Sequence, residues 1–211
     1  RREAGWLHGR GIHRPVVIVA ATSVERKPLR RALPQARIVL AGVALADLHE
    51  DLGDTVLSCG LAGALRPGLP TGTLLLPREV RRPDGTTLRC DEGLVEALAR
   101  GARGLGVEPV FDPLLTAESI VNGDERTHWA QRGYAGVDME TGRLTAQRVA
   151  AVRVILDTPE NEISPDWAVP WRALLKPSNW PQARWLAREA PRAAALAAAV
   201  VAASHLPAPI A

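Results

Sequence analysis

The run Tyr134-Ala135-Gly136-Val137-Asp138-Met139-Glu140-Thr141-Gly142 decides how this chain is read. Residues 134–137 are β-like and lead into the only methionine of the sequence, which stands between two carboxylates. A helix-like run follows over 143–149. A second β-rich run, Val152-Arg153-Val154-Ile155-Leu156-Asp157, then ends in another acid. In an α/β pattern, acids at strand ends lie where such folds carry their chemistry.

The same alternation extends toward the N-terminus. Pro15-Val16-Val17-Ile18-Val19-Ala20-Ala21 is a continuous β-branched apolar run, the mark of a strand buried on both faces. Thr22 and Ser23 can cap a helix over 24–33. A strand is expected over 36–40, a helix over 45–52, and a strand over 54–59 that runs into a small-residue loop, Gly60-Leu61-Ala62-Gly63-Ala64-Leu65. Short strands follow at 72–76 and 78–81, with a turn at Pro83-Asp84-Gly85. Helical spacing covers 90–102, an extended stretch 113–121 and a capped helix 125–131. Residues 158–180 are rich in Pro and Trp and read as a lid. A helix over 181–204 closes the chain, with a break expected near Pro191.

The class is therefore α/β with a largely parallel or mixed central sheet. One domain is expected over 15–211, behind a loose lead-in over 1–14; for 211 residues a single domain is the default.

Composition excludes several roles. The net charge is +3, arginine is spread along the chain, and no basic block is interleaved with aromatics, so no nucleic-acid partner is expected. The two cysteines, Cys59 and Cys90, have no metal-ligand spacing and read as reduced thiols. The five histidines form no i,i+4 pair, so neither a metal nor another cofactor is expected. The start lacks the apolar core of a signal peptide, and the alanine-rich run 193–203 is too short to span a bilayer. A cytoplasmic protein without an integral membrane segment is expected.

Glu25, Asp138, Glu140 and Asp157 all fall at or just beyond the ends of expected strands. Paired carboxylates suit glycosyl chemistry, in which one protonates the leaving group and another activates water. Each acid alone reads more simply as a helix cap or a surface charge. Their common placement points to one site.

These residues resemble the nucleoside phosphorylase and nucleosidase superfamily, nearest to the hydrolase branch typified by methylthioadenosine/S-adenosylhomocysteine nucleosidase. The resemblance covers roughly residues 15–157. Cys59-Gly60-Leu61-Ala62-Gly63-Ala64-Leu65 with Pro70-Thr71-Gly72-Thr73-Leu74-Leu75-Leu76-Pro77 is similar to the family's small-residue stretch. Val137-Asp138-Met139-Glu140 is similar to its V-E/D-M-E motif, and the run ending at Asp157 to its V-R-x-I-S-D motif. The resemblance implies a three-layer fold with a mixed, twisted central sheet flanked by helices. It also implies a homodimer or larger and a small-molecule nucleoside substrate, with cleavage of a purine (adenine) nucleoside carrying a 5′-substituent.

Roles follow from the same match. Asp157 corresponds to the acid that protonates purine N7, and Glu25 to the acid that activates water. Glu140 corresponds to the acid that binds the ribose hydroxyls, with Met139 and Val137 beside the sugar. Ile120 and Val121 correspond to the segment meeting the base edge, and Ala62 and Gly63 to the small residues near the reacting carbon. Asp138 reads as structural, an acid at a helix start.

The chain departs from the pattern at Leu61 and Leu156, both more apolar than the family's residues, and at Thr73, which replaces an acid. The tail from Thr158, with four of the six tryptophans, is more reminiscent of the hopanoid-associated branch, thought to remove adenine from adenosylhopane. Arg26, Arg30 and Arg66 keep a phosphate-dependent phosphorylase open as an alternative. Leu61 and Leu156 do the same for a non-catalytic nucleoside-binding protein.

Overall fold

The β-branched run near the N-terminus forms β1 (Val17–Ala20), buried at every position. The computed structural model describes residues 16–168, 173 and 175–206; the lead-in expected over 1–14 lies outside the described residues. β1 runs parallel to β2 (Ile38–Leu40) on one side and to β3 (Thr55–Ala64) on the other. Strands on both edges make β1 an interior strand, and its two faces enter different apolar clusters, Ile18 and Ala20 in one and Val19 in the other.

β3 is the trunk of a nine-stranded mixed sheet. Along most of its length it pairs in parallel with β9 (Arg148–Asp157). Its last residues, Gly63 and Ala64, pair antiparallel with β8 (Gly136–Asp138). From β8 the sheet continues through β7 (Leu114–Thr116) and β5 (Glu79–Arg81) to β6 (Thr87–Arg89). The short β4 (Leu74–Leu75) lies antiparallel on β9. The β5–β6 hairpin turns at the expected Pro83-Asp84-Gly85, where Gly85 takes a φ of +87°.

Helices flank the sheet. They include α1 (Ser23–Ala32), α2 (Glu92–Gly104), α3 (Asp124–Gln131) and α4 (Trp180–Ala203). α4 packs on α1, α2, β3 and β9 through a buried face that includes Ala193, Ala197, Ala198, Val200 and Val201. Gly101 of α2 lets the chain at Ser204 approach closely, since a Cβ there would lie 2.8 Å from the Ser204 backbone nitrogen. Among the described residues, no helix is long and apolar enough to cross a membrane.

Four sequence expectations are corrected. The stretch 60–65 is not a loop: β3 continues through Ala64, because β9 and β8 between them supply a partner strand to its end. The helix expected over 45–52 is a single 3-10 turn, Val43–Leu45. Gly42, Ala44 and Leu45 sit at φ of 74°, 55° and 61°, which an α-helix cannot contain, while Leu45, Leu48 and Leu52 still pack against Val19 and Val56. The helix expected over 143–149 is a 3-10 turn, Thr141–Arg143, since Val149 and Ala150 are already pairing with Val56 and Leu57. Finally, α4 runs through Pro191 without a break. An interior proline costs about 3 kcal/mol, and the alanine-valine face buried beyond it holds the helix together.

Candidate active site

One cavity of about 260 Å³ opens at the strand ends. Asp157, Glu25, Glu140, Met139, Val137, Ile120, Val121, Ala62 and Gly63 all line it. Ala21, Val43, Leu61, Leu156 and Ile163 add further apolar wall. The size lies just below the usual range for ligand pockets, roughly 300–1,000 Å³.

Glu25 is held at N3 of α1. Its Oε2 accepts from Thr22 N at 2.7 Å and from the Thr22 hydroxyl at 3.0 Å, while Glu25 N donates to Thr22 Oγ1 at 3.4 Å. This is a capping box, so the modest reading of Glu25 as a helix-start acid is correct as far as it goes. The same carboxylate also turns toward β3, where Oε1 accepts from Leu61 N at 3.0 Å. A carboxylate has roughly four acceptor sites, so capacity for a water is left.

Gly60 makes this arrangement possible. A Cβ there would lie 2.3 Å from Glu25 Oε1 and 2.6 Å from Arg153 Nη1. Arg153 projects from β9 into a fully buried acid cluster. It lies 2.6 Å from Asp138 and 3.6 Å from Glu140, and it donates to Ser58 Oγ at 2.6 Å and Thr141 Oγ1 at 2.9 Å. Burial opposes the charge of Arg153, but Asp138, Glu140 and Glu25 outweigh it and hold its pKa above the ordinary value.

Asp138 serves this cluster rather than a ligand. It accepts from Thr116 Oγ1 at 2.6 Å, from Thr141 N at 3.0 Å and from the Thr141 hydroxyl, and its side chain is fully buried. Glu140 is more open to the cavity. Its Oε1 accepts from Ala44 N at 3.1 Å, on the turn with left-handed residues. Burial pushes the Glu140 pKa from 4.5 up to about 7, against the pull of Arg153 and with further push from Asp138.

Asp157 occupies the other end. A register shift between Ala62 and Gly63 skips Leu156, so that Ala62 faces Ile155 and Gly63 faces Asp157. Such an irregularity re-aims side chains, and here Leu156 and Asp157 both reach the cavity although adjacent strand residues ordinarily point apart. Asp157 is buried, but not among apolar groups alone. Its Oδ2 is paired with Nη2 of Arg126, itself 2% exposed.

Arg126 and Arg153 are the functional candidates that the sequence reading missed. Arg153 carried a signal, since a lone cation inside an apolar strand implies buried acids around it. Arg126 carried none. It lies on a polar helix with no marked apolar face, and only the fold brings it to Asp157. The arginines that leave a phosphorylase open lie elsewhere. Arg26, Arg30 and Arg66 do not line the cavity, and Arg66 is paired with Asp112 at 2.5 Å. Cys59 and Cys90 are buried free thiols, and burial pushes both up to about 12. Among the described residues, no cluster of His, Cys, Asp or Glu could hold a metal ion.

No family model matches the chain, and no curated protein matches it in sequence. Solved structures do match. The methylthioadenosine/S-adenosylhomocysteine nucleosidase of Neisseria meningitidis, in complex with methylthio-immucillin-A, superimposes with a TM-score of 0.68 at 18% identity, over 90% of this chain and 98% of that one. The chain has a nucleosidase fold. The Helicobacter pylori nucleosidase bound to butyl-thio-DADMe-Immucillin-A gives a TM-score of 0.69 at 12% identity, over 92% of this chain and 98% of that chain. Futalosine hydrolase of Helicobacter pylori gives 0.68 at 12% identity, over 91% and 97%. The nucleosidase fold, a mixed sheet flanked by helices, is thus common to all three and to this chain.

Proposed function

We propose that the protein is a nucleosidase: an N-ribosyl hydrolase that cleaves the glycosidic bond of a 5′-substituted adenine nucleoside. The observation that carries this reading is the cavity itself, with Glu25 and Glu140 at one end and Asp157 at the other. Gly60 and Gly63, the residues beside these two ends, are three positions apart on β3, about 10 Å along an extended strand. That separation leaves room for a sugar between the acids.

In this reading the base lies against Ile120 and Val121, with N7 toward Asp157. The ribose packs on Met139 and Val137, its hydroxyls on Glu140. The bond from C1′ to the base breaks with its electron pair going to the base, and Asp157 gives a proton to N7 so that the base leaves neutral. Water then bonds to C1′ while Glu25 accepts its proton, and solvent returns that proton to Asp157. General acid–base help of this kind contributes roughly 10²–10⁴-fold.

Water suits the site better than phosphate. A carboxylate at Glu25 repels a dianion, and Arg26, Arg30 and Arg66 do not reach the cavity. The apolar wall of Val43, Leu61 and Leu156 suits an apolar 5′-substituent. A bulky one, as the hopanoid-associated branch would require, has to leave by the mouth near Val43, which is 48% exposed.

A panel of nucleosides, with and without phosphate, tests the proposal by release of free base. Adenine release in the absence of phosphate is the expected result. A strict phosphate requirement, or tight nucleoside binding with no release, overturns it. Asp157→Asn should release base at least a hundredfold more slowly than the wild type, and an unchanged rate overturns the assigned mechanism.

A further inference from the structure

The fold gathers charges that the sequence spreads out. α1 carries Arg26, Lys27, Arg30 and Arg31, and α4 carries Arg184, Arg188 and Arg192. Against these seven cations the two helices hold two acids, Glu25 and Glu189. Of the 26 cations and 23 acids of the chain, this leaves 19 and 21 to all other residues, so the two helices carry its whole positive excess. Glu25 is buried at the cavity, and Glu189 is shared between Arg188 at 2.6 Å and Arg192 at 3.1 Å. Among the described residues, Arg26, Lys27, Arg30, Arg31 and Arg184 have no acid within ion-pair distance.

Both helices present this charge on one side of the molecule. α1 packs on β1, β2 and β3, α4 packs on β3 and β9, and each packs on the other, so they are neighbours in one layer. Leu29 of α1 and Ala193, Ala197 and Val201 of α4 are buried in the core beneath that layer. The opposite sides face solvent. There Lys27 and Arg31 stand four residues apart, as do Trp180, Arg184, Arg188 and Arg192. α2, which also packs on α4, is balanced, with Glu92 and Glu96 against Arg100 and Arg103. The two basic helices also begin at the same place. Glu25 in the first turn of α1 lines the cavity, and Gln182 in the first turn of α4 bonds Glu162 O and Ser164 N, on either side of the cavity residue Ile163. Apolar side chains stand out at this end: Val24, Val43, Trp180 at 55% exposed and Leu175 at 73%.

We infer that the basic face of α1 and α4 is a peripheral docking surface for an anionic lipid bilayer. Its cations meet the negative headgroups, and the apolar side chains at its cavity end enter the boundary between headgroups and acyl chains. A nucleic acid would use the same cations, but Val24, Val43 and Leu175 offer nothing to a phosphate backbone, which is bound by polar groups. Held in this way, the protein has the mouth of its cavity beside the bilayer. The inference goes beyond the nucleosidase reading and does not rest on it, because docking is measured without any substrate.

The test is co-sedimentation of the protein with vesicles of phosphatidylcholine alone and of equal parts phosphatidylcholine and phosphatidylglycerol. Binding to the anionic vesicles only, weakened by added salt, is the expected result. A cation near such a surface contributes roughly fivefold in affinity, so Arg30→Gln with Arg184→Gln should weaken binding about 25-fold. Arg89→Gln with Arg132→Gln removes the same charge from β6 and the end of α3, away from this face, and should weaken it by less than about threefold. Leu175→Glu should weaken it about tenfold or more. All these side chains are exposed, so melting temperatures should match the wild type. Absence of binding to anionic vesicles overturns the inference, as does equal binding to phosphatidylcholine alone or an equal loss in the two double variants. A DNA duplex bound through Arg30 and Arg184 while vesicles stay unbound overturns it in favour of a nucleic-acid partner.

Discussion

Gly63 and Asp157 face each other across the β3–β9 ladder with no space for a side chain between them. A Cβ on Gly63 would lie 2.9 Å from Asp157 Oδ1. Gly63→Ala should therefore displace the carboxyl rather than merely crowd the strand. Overpacking of this kind costs about 1–3 kcal/mol, and a misplaced catalytic group loses about a hundredfold in rate. Base release and thermal melting, measured on the same preparation, check both.

Glu25 is at once a capping residue and the candidate base, and Glu25→Gln separates the roles. A glutamine at N3 still accepts from the Thr22 N–H and keeps the capping box, so stability should change by less than about 1 kcal/mol, whereas loss of the base should slow release by about 10²-fold or more. A variant with a slightly lower melting temperature and an unchanged rate would leave Glu25 as a cap only.

Arg153 holds together Asp138, Glu140, Ser58 and Thr141 in the interior. Arg153→Met leaves those acids buried without a counter-charge, a loss of about 3–5 kcal/mol near neutral pH. The loss should shrink at pH 5, below the raised pKa of Glu140, where that carboxyl is neutral and needs no counter-charge. Urea denaturation at the two pH values measures the difference.

Glu140 binds its proton more tightly in the folded protein than the ordinary value of 4.5 allows, with a pKa pushed by burial to about 7. A group of that kind favours the folded state most below the ordinary value, and its contribution is lost as pH rises through about 7. Wild-type stability should thus decline between pH 5 and pH 8. Glu140→Gln, which has no proton to lose, should flatten that decline by about 1–3 kcal/mol. An identical slope in the two proteins would contradict the burial of this carboxyl.

Much of the site was legible because its parts lie in short runs with a strong local signature. Val137-Asp138-Met139-Glu140 and the run ending at Asp157 each place an acid at a strand end, and the cavity gathers both. Asp138, read as an acid at a helix start, accepts from Thr141 N at the 3-10 turn that stands where the helix was expected. The reading of 60–65 as a loop went wrong for a physical reason. Small residues signal close approach, but not whether the approaching group is a ligand or the protein's own carboxylate. Here it is the carboxylates of Glu25 and Asp157 that fill the space beside Gly60 and Gly63.

The sequence by itself determined the α/β class, the buried strand β1, the Thr22 cap of α1, and which acids stand at strand ends, because each of these depends on side-chain pattern over a few residues. Only the tertiary structure decided what those acids face. The register shift at Leu156, the meeting of Arg126 with Asp157 across 31 residues and the burial of Arg153 among three acids all depend on strand pairing between distant segments. No local pattern encodes such pairing, and it sets the charge around every carboxylate in the cavity.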